Sequence, residues 1–212
     1  MNHFSSHILM VYPKNFRSNV LTIDDNTFQN SSSNLSNNEI KNKAVAEFEL
    51  LNNKIQSQGI KVTVFKDSRN VDTPDAVFPN NWISFHKDNK AITYPMFAEN
   101  RRLERTPLVI ECLNNYGKNI SIDYDYSNFE NDNLFLEGTG SLVLDRLNKI
   151  AYCSLSQRSN EELVNRFCID MGYNPVVFKS YHQNKPIYHT NVLLSICNKF
   201  SVVCLESIID KK

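Results

Sequence analysis

Three short segments hold the residues best suited to chemistry. Phe78-Pro79-Asn80-Asn81-Trp82 carries two carboxamides, Leu136-Glu137-Gly138-Thr139-Gly140 a carboxylate, and Tyr188-His189-Thr190-Asn191 an imidazole. A carboxylate matches a guanidinium in bidentate geometry, an imidazole transfers protons near neutral pH, and carboxamides fix a ligand's polar arms. Brought to one point, these groups suit a small polar cation. Each alone also has an ordinary explanation. Glu137 reads equally as a surface turn carboxylate, His189 as a satisfied structural residue, and Asn80-Asn81 as turn chemistry after Pro79. What links them is their phase in a repeat.

The repeat is punctuated by glycine. Ser36-x-x-Glu39 has the form of a capping box, and Ile40, Ala44, Phe48, Leu51 and Ile55 recur at the spacing of one helical face. Gly59 follows as a left-handed cap, then Ile60–Phe65 reads as a strand. The order recurs with Thr106-Pro107 opening a helix, Gly117 closing it, and a strand over 120–124. It recurs again with Ser159-x-x-Glu162 as a second capping box, Gly172, and a strand over 175–178. These glycines lie 58 and 55 residues apart in a chain with only five. Hairpins follow at 81–94, 141–153 and 191–204, each predicted to turn at Asn-Lys (Asn89, Asn148 and Asn198), where Asn tolerates positive φ. The three chemical segments fall 19, 19 and 16 residues past Gly59, Gly117 and Gly172, so packing around an axis would bring them together at one end. The reading is one α/β domain over residues 1–212, with an N-terminal strand at 7–12 and repeats at about 36–94, 106–154 and 159–205. Residues 17–38, rich in Ser, Asn and Asp, read as a surface loop, either a lid or a solvated spacer.

Other features exclude more than they offer. The 212 residues carry 23 Lys+Arg and 23 Asp+Glu, so no basic surplus drives nucleic-acid binding. No membrane-length apolar run and no signal-peptide start is present, and five scattered cysteines without a C-x-x-C pair argue against disulfides and zinc. A cytoplasmic address follows as the expectation. Asp123, Asp125 and Asp132 lack the spacing of a calcium loop, Arg101-Arg102 with Arg105 reads as a basic surface face, and Gly138-Thr139-Gly140 lacks the rest of a dinucleotide fingerprint.

The three segments, together with Asn26–Gln29 and Met96–Arg105, resemble the guanidine-modifying (amidinotransferase or pentein) superfamily, nearest to the arginine-deiminase-related citrulline-utilization hydrolases. The resemblance implies an α/β propeller of five ββαβ units with its site on the axis. It implies that a Cys thiolate attacks the guanidino or ureido carbon of a compound such as arginine or citrulline, while a His serves the leaving amine and then water. It makes His189 and Glu137 the catalytic positions, and Phe78, Asn80, Asn81 and Thr139 substrate-binding positions, with many relatives acidic where this chain has Asn80 and Asn81. No metal and no cofactor is implied.

One departure matters. The family nucleophile lies near the C-terminus in a Gly-rich segment, and no Gly follows Gly172 here. Cys153 and Cys204 fall in apolar hairpin strands where buried thiols are inert, Cys112 and Cys168 in helices, and Cys197 beside a turn. The expectation is an incomplete propeller of about three and a half units, lacking its nucleophile and prone to self-association through open sheet edges. Two alternatives stand beside it: a non-catalytic propeller that binds a ligand or protein, and an inactive fragment.

Overall fold

Ser36 and Glu39 satisfy each other's backbone at the start of the longest helix, which gives α1 (Asn37–Ser57) a complete capping box. This is a computed structural model, and it describes residues 5–26, 28–29 and 34–209; Thr27 of the 26–29 motif, residues 30–33 of the 17–38 loop and residues 1–4 and 210–212 lie outside those. Before α1 runs β1 (His7–Val11), and after it β2 (Lys61–Phe65) returns parallel to β1. Ile40, Ala44, Phe48 and Ile55 are only half-buried and Leu51 is exposed, so α1 lies on the outside, with Phe48 edge-on to Tyr12 at 5.7 Å.

Next come β3 (Ile83–Phe85), β4 (Lys90–Thr93), the short α2 (Glu99–Arg102), α3 (Leu108–Asn115) and β5 (Ser121–Asp125). The chain continues through α4 (Gly138–Ser141), β6 (Val143–Asp145), β7 (Ile150–Ser154), α5 (Glu161–Met171) and β8 (Asn174–Phe178). A small hairpin, β9 (Tyr181–His182) and β10 (Lys185–Pro186), precedes β11 (Leu194–Ile196) and β12 (Ser201–Val203).

Sheet pairing repeats. In β3-β4-β5 and in β6-β7-β8, an antiparallel hairpin is extended by the strand that follows the next helix, parallel to the second hairpin strand. The hydrogen-bonded unit is therefore hairpin, helix, strand, offset from the helix-to-hairpin order read along the sequence. β1 and β2 form only the parallel half of this pattern, and β11 and β12 only the antiparallel half. Among the described residues the sheets do not join into a closed barrel.

Several local expectations shift. Gly59, Gly117 and Gly172 all adopt positive φ after their helices. The cap of α5 is Asn160, whose side chain accepts from Glu162 N–H and Leu163 N–H, while Ser159 turns inward and donates to Ser141 Oγ at 2.8 Å. The hairpin turns also differ. Positive φ falls on Asp88 and Asn89 in the first and on Lys149 in the second, where Asn148 instead donates to Asp145; none falls on the third. Asp123 pairs with Lys90, and Asp125 accepts from Thr93.

Two cores hold the layers together. One packs Tyr94, Leu136, Leu142, Ala151, Leu163 and Phe167; the other packs Trp82, Ile83, Ala91, Met96, Val109 and Leu113. Phe167 is fully buried, its ring 6.3 Å from Tyr94 and 5.7 Å from Tyr173, whereas Ile169 on the same helix is 79% exposed. Phe167→Ala is expected to cost about 3–5 kcal/mol of stability in urea unfolding, and Ile169→Ala within about 0.5 kcal/mol of nothing.

Candidate functional site

Each hairpin is entered through a tight turn. Pro79–Asn81 precedes β3, α4 precedes β6, and Thr190–Val192 precedes β11. α4 lies between the other two turns and packs on both. Glycine permits this approach. At Gly138 (φ +44) a Cβ would sit 2.3 Å from Asn80 O, and at Gly140 it would sit 2.3 Å from Asn81 Nδ2 and 2.8 Å from the His189 ring. The structure thus brings Glu137, His189 and Asn81 together.

Glu137 and His189 are buried and joined, His189 Nε2 lying 2.7 Å from Glu137 Oε2. Phe97 N–H donates to Glu137 Oε1 at 3.0 Å, and Arg158 Nη1 and Arg101 Nη1 stand 3.5 and 3.9 Å from Oε2. Burial alone would raise the Glu137 pKa. The His189 hydrogen bond and the charges around it outweigh burial and hold it down at about 2. Burial lowers the His189 pKa, and Glu137 opposes that while Arg158 and Arg101 add to it. Near neutral pH the pair is a carboxylate accepting from a neutral imidazole through Nε2–H. Nδ1 then keeps its lone pair, and no hydrogen bond engages it among the described residues.

His189 opens onto a cavity of about 330 Å³ lined also by Asp75, Phe78, Asn80, Asn81, Arg101 and Arg158. Phe78, at 47% exposure, and Asn80 stand at its rim. Thr139 does not face it: its hydroxyl donates to Asn80 O, and its side chain borders a second cavity with Ser84, His86 and Arg146.

Two arginines complete the site, and both depart from the reading of the sequence. Arg101, read as surface, is 2% exposed: its Nε and Nη2 grip Glu104, each at 2.9 Å, and its Nη1 donates to Asn81 Oδ1 at 2.7 Å. Arg102 and Arg105 also turn inward, Arg105 holding Glu130 through both terminal nitrogens. Arg158 carried no signal of its own, because its partner Asp25 is 133 residues away. It takes Asp25 in a two-pronged grip, with Nε to Oδ2 at 2.6 Å, and stacks on Tyr188 at 4.8 Å. The 17–38 segment therefore reaches into the site. Asp75 on the cavity lining and Asp25, Glu104 and Glu137 behind it face two guanidinium groups.

Among the described residues no thiol lines the cavity. Burial pushes Cys153 up to about 12 and Cys168 up to about 11. Cys204, expected to be buried in its strand, is exposed one residue beyond β12.

The family described as N,N dimethylarginine dimethylhydrolase, eukaryotic, matches residues 12–212. The chain belongs to this family. With it comes membership of the pentein superfamily of guanidino-modifying hydrolases. Comparison with curated proteins gave no match. Among solved structures, the N-terminal domain of ArgZ, an arginine dihydrolase from the ornithine-ammonia cycle in cyanobacteria, superposes with a TM-score of 0.72 at 15% identity, over 96% of this chain and 68% of that one. Apo ArgZ, in a longer chain, gives 0.71 at 16% identity, over 96% of this chain and 28% of that one. A dimethylarginine dimethylaminohydrolase adduct with 4-chloro-2-hydroxymethylpyridine gives 0.61 at 18% identity, over 93% and 68%. At these identities the superpositions establish a shared α/β fold.

Gly140→Ala is expected to force Asn81 and the His189 ring apart, lowering stability by about 1–3 kcal/mol in thermal unfolding and shifting the His189 imidazole resonances. Glu137 has a folded pKa below its ordinary 4.5, so its contribution is complete above that value and is lost as pH falls toward about 2. Unfolding measured from pH 6 to pH 2.5 is expected to weaken with acid, and Glu137→Gln to flatten part of that slope.

Proposed function

We propose that the cavity binds a guanidino or ureido compound, with arginine, citrulline or a methylated arginine as the natural size class, and that this site belongs to a hydrolase. The observation that carries the reading is Glu137. It is a buried, ionised carboxylate beside an imidazole, in a site where carboxylates outnumber guanidinium groups, which is the electrostatic complement of a planar cation. Family membership supports the same substrate class. Asp75 on the cavity lining takes the ligand's N–H groups, Arg158 faces the opposite charge of an amino acid's carboxylate, and Asn80, Asn81 and Phe78 line the path, while Glu137 acts from behind His189 through its charge and its hold on the imidazole. Thr139 acts from behind, by fixing the Asn80 carbonyl. In the covalent route a thiol gives its proton to His189 Nδ1 as its sulfur bonds to the guanidino carbon, His189 passes that proton to the departing amine, and a water deprotonated by His189 then displaces the thiolate, which regains the proton.

That thiolate is not among the side chains at the cavity. The free edge of β1, bordering the second cavity, and the free edge of β12 are where a further segment would add strands and carry a nucleophile. Left uncovered, they are also the surfaces through which copies of the chain would associate. The absence of a thiol at the cavity favours a second reading for these 212 residues by themselves, recognition without turnover.

Calorimetric titration with arginine, citrulline and N,N-dimethylarginine tests the proposal. At least one is expected to bind, and Glu137→Gln to weaken it about tenfold or more. No heat from any of the three with folded protein would overturn the reading. Release of ammonia or amine by residues 1–212 alone would overturn the view that the nucleophile comes from elsewhere.

A further inference from the structure

Glu104 lies outside the cavity lining, yet its side chain is 1% exposed and holds a buried guanidinium in a two-pronged grip. Arg101 has five N–H bonds to place. Nε and one Nη2 proton go to the two oxygens of Glu104, and the other Nη2 proton faces Phe78 O at 3.2 Å and Asp75 O at 3.4 Å. One Nη1 proton goes to Asn81 Oδ1 at 2.7 Å, and the last points toward Glu137 Oε2, 3.9 Å away. A planar group fixed along one edge has no freedom left on the other. Arg101 only donates, so the Asn81 oxygen must face it. The Asn81 amide nitrogen then points the opposite way, toward Gly140 and the His189 ring.

We infer that Glu104 is a positioning residue that acts through Arg101 to set which way the Asn81 carboxamide points into the site. This rests on the guanidino-binding reading only in taking Asn81 as a ligand contact. A carboxylate is the side chain that suits the task. Glutamine would aim its own N–H₂ at one of the Arg101 donors and lose half the grip. Aspartate keeps the charge but is shorter by one methylene.

The arrangement is also sensitive to protons. The charged groups that face Glu104 are Arg101 on α2, Asp75 from the turn before Phe78, and Glu137 from the turn before α4. Burial raises the Glu104 pKa, Arg101 lowers it, Asp75 and Glu137 raise it again, and the outcome is about 7. Above that value the grip is fully charged; below it one oxygen carries a proton, and Arg101 is held less firmly.

The test is a nuclear magnetic resonance titration from pH 5.5 to 8.5, following the Asn81 side-chain amide and Arg101 Nε–H, with arginine affinity measured at both ends. In the wild-type protein both signals are expected to move together with one midpoint. Glu104→Gln should remove that shared transition and weaken arginine binding about tenfold, while Glu104→Asp restores part of both. Signals that move independently in the wild type overturn the inference, and that measurement decides even if Glu104→Gln fails to fold. So does a folded Glu104→Gln with an unchanged Asn81 amide and unchanged affinity. Coupled signals in a wild-type protein that binds none of arginine, citrulline and N,N-dimethylarginine overturn the guanidino reading and leave the role of Glu104 standing.

Discussion

The buried Glu137 carboxylate is the constraint around which the rest is arranged. An idealised carboxylate moved from water into a protein interior costs on the order of 20 kcal/mol, and only close partners make it tolerable. Here the partners are one imidazole, one backbone N–H and two guanidinium groups, drawn from three separate stretches of chain. None comes from a neighbour in sequence. Glu137 stays charged only if the turn before β11, the loop after β7, and the stretch from Phe97 through α2 all reach one place. The repeat supplies that convergence, because equivalent turns of successive units meet at α4.

The guanidinium groups bring a demand of their own. Two of them beside one carboxylate would leave a surplus of buried positive charge, so each has a second carboxylate: Glu104 on Arg101 and Asp25 on Arg158. These pairs are held in both prongs, the geometry in which an ion pair is worth its desolvation. Counting Asp75, the site still carries more acid than base. A guanidinium cation offsets that excess, and a neutral ureido group meets it with N–H donors alone.

How much of this was visible in the sequence follows from range. The glycines at 59, 117 and 172 were legible because a left-handed backbone after a helix is a local demand that few residues meet. The strands and the chemical turns followed from their phase. The α5 cap was misread by one residue because Ser159 satisfies the local pattern, but its hydroxyl is taken by Ser141, 18 positions back. Arg101 looked like surface for a related reason. Arg-x-x-Glu is an ordinary exposed helix pair, and only the 75–81 turn lying over it puts it indoors. Arg158 and Asp25 could not be paired from sequence, since nothing local ties them together.

Asn81 shows why residue type matters beyond charge at such a point. A carboxylate there would only accept, so it could satisfy Arg101 but would present a lone pair toward His189 and the cavity. It would also add a fifth acid to a site that already holds four. The carboxamide divides its functions: oxygen to Arg101, protons away from it. That division holds only while Arg101 cannot turn, and Arg101 cannot turn while Glu104 grips it and the Phe78 carbonyl lies over its other edge. The polarity presented at the cavity is therefore set by a side chain one shell further out, on the same short stretch of chain as the arginine it holds.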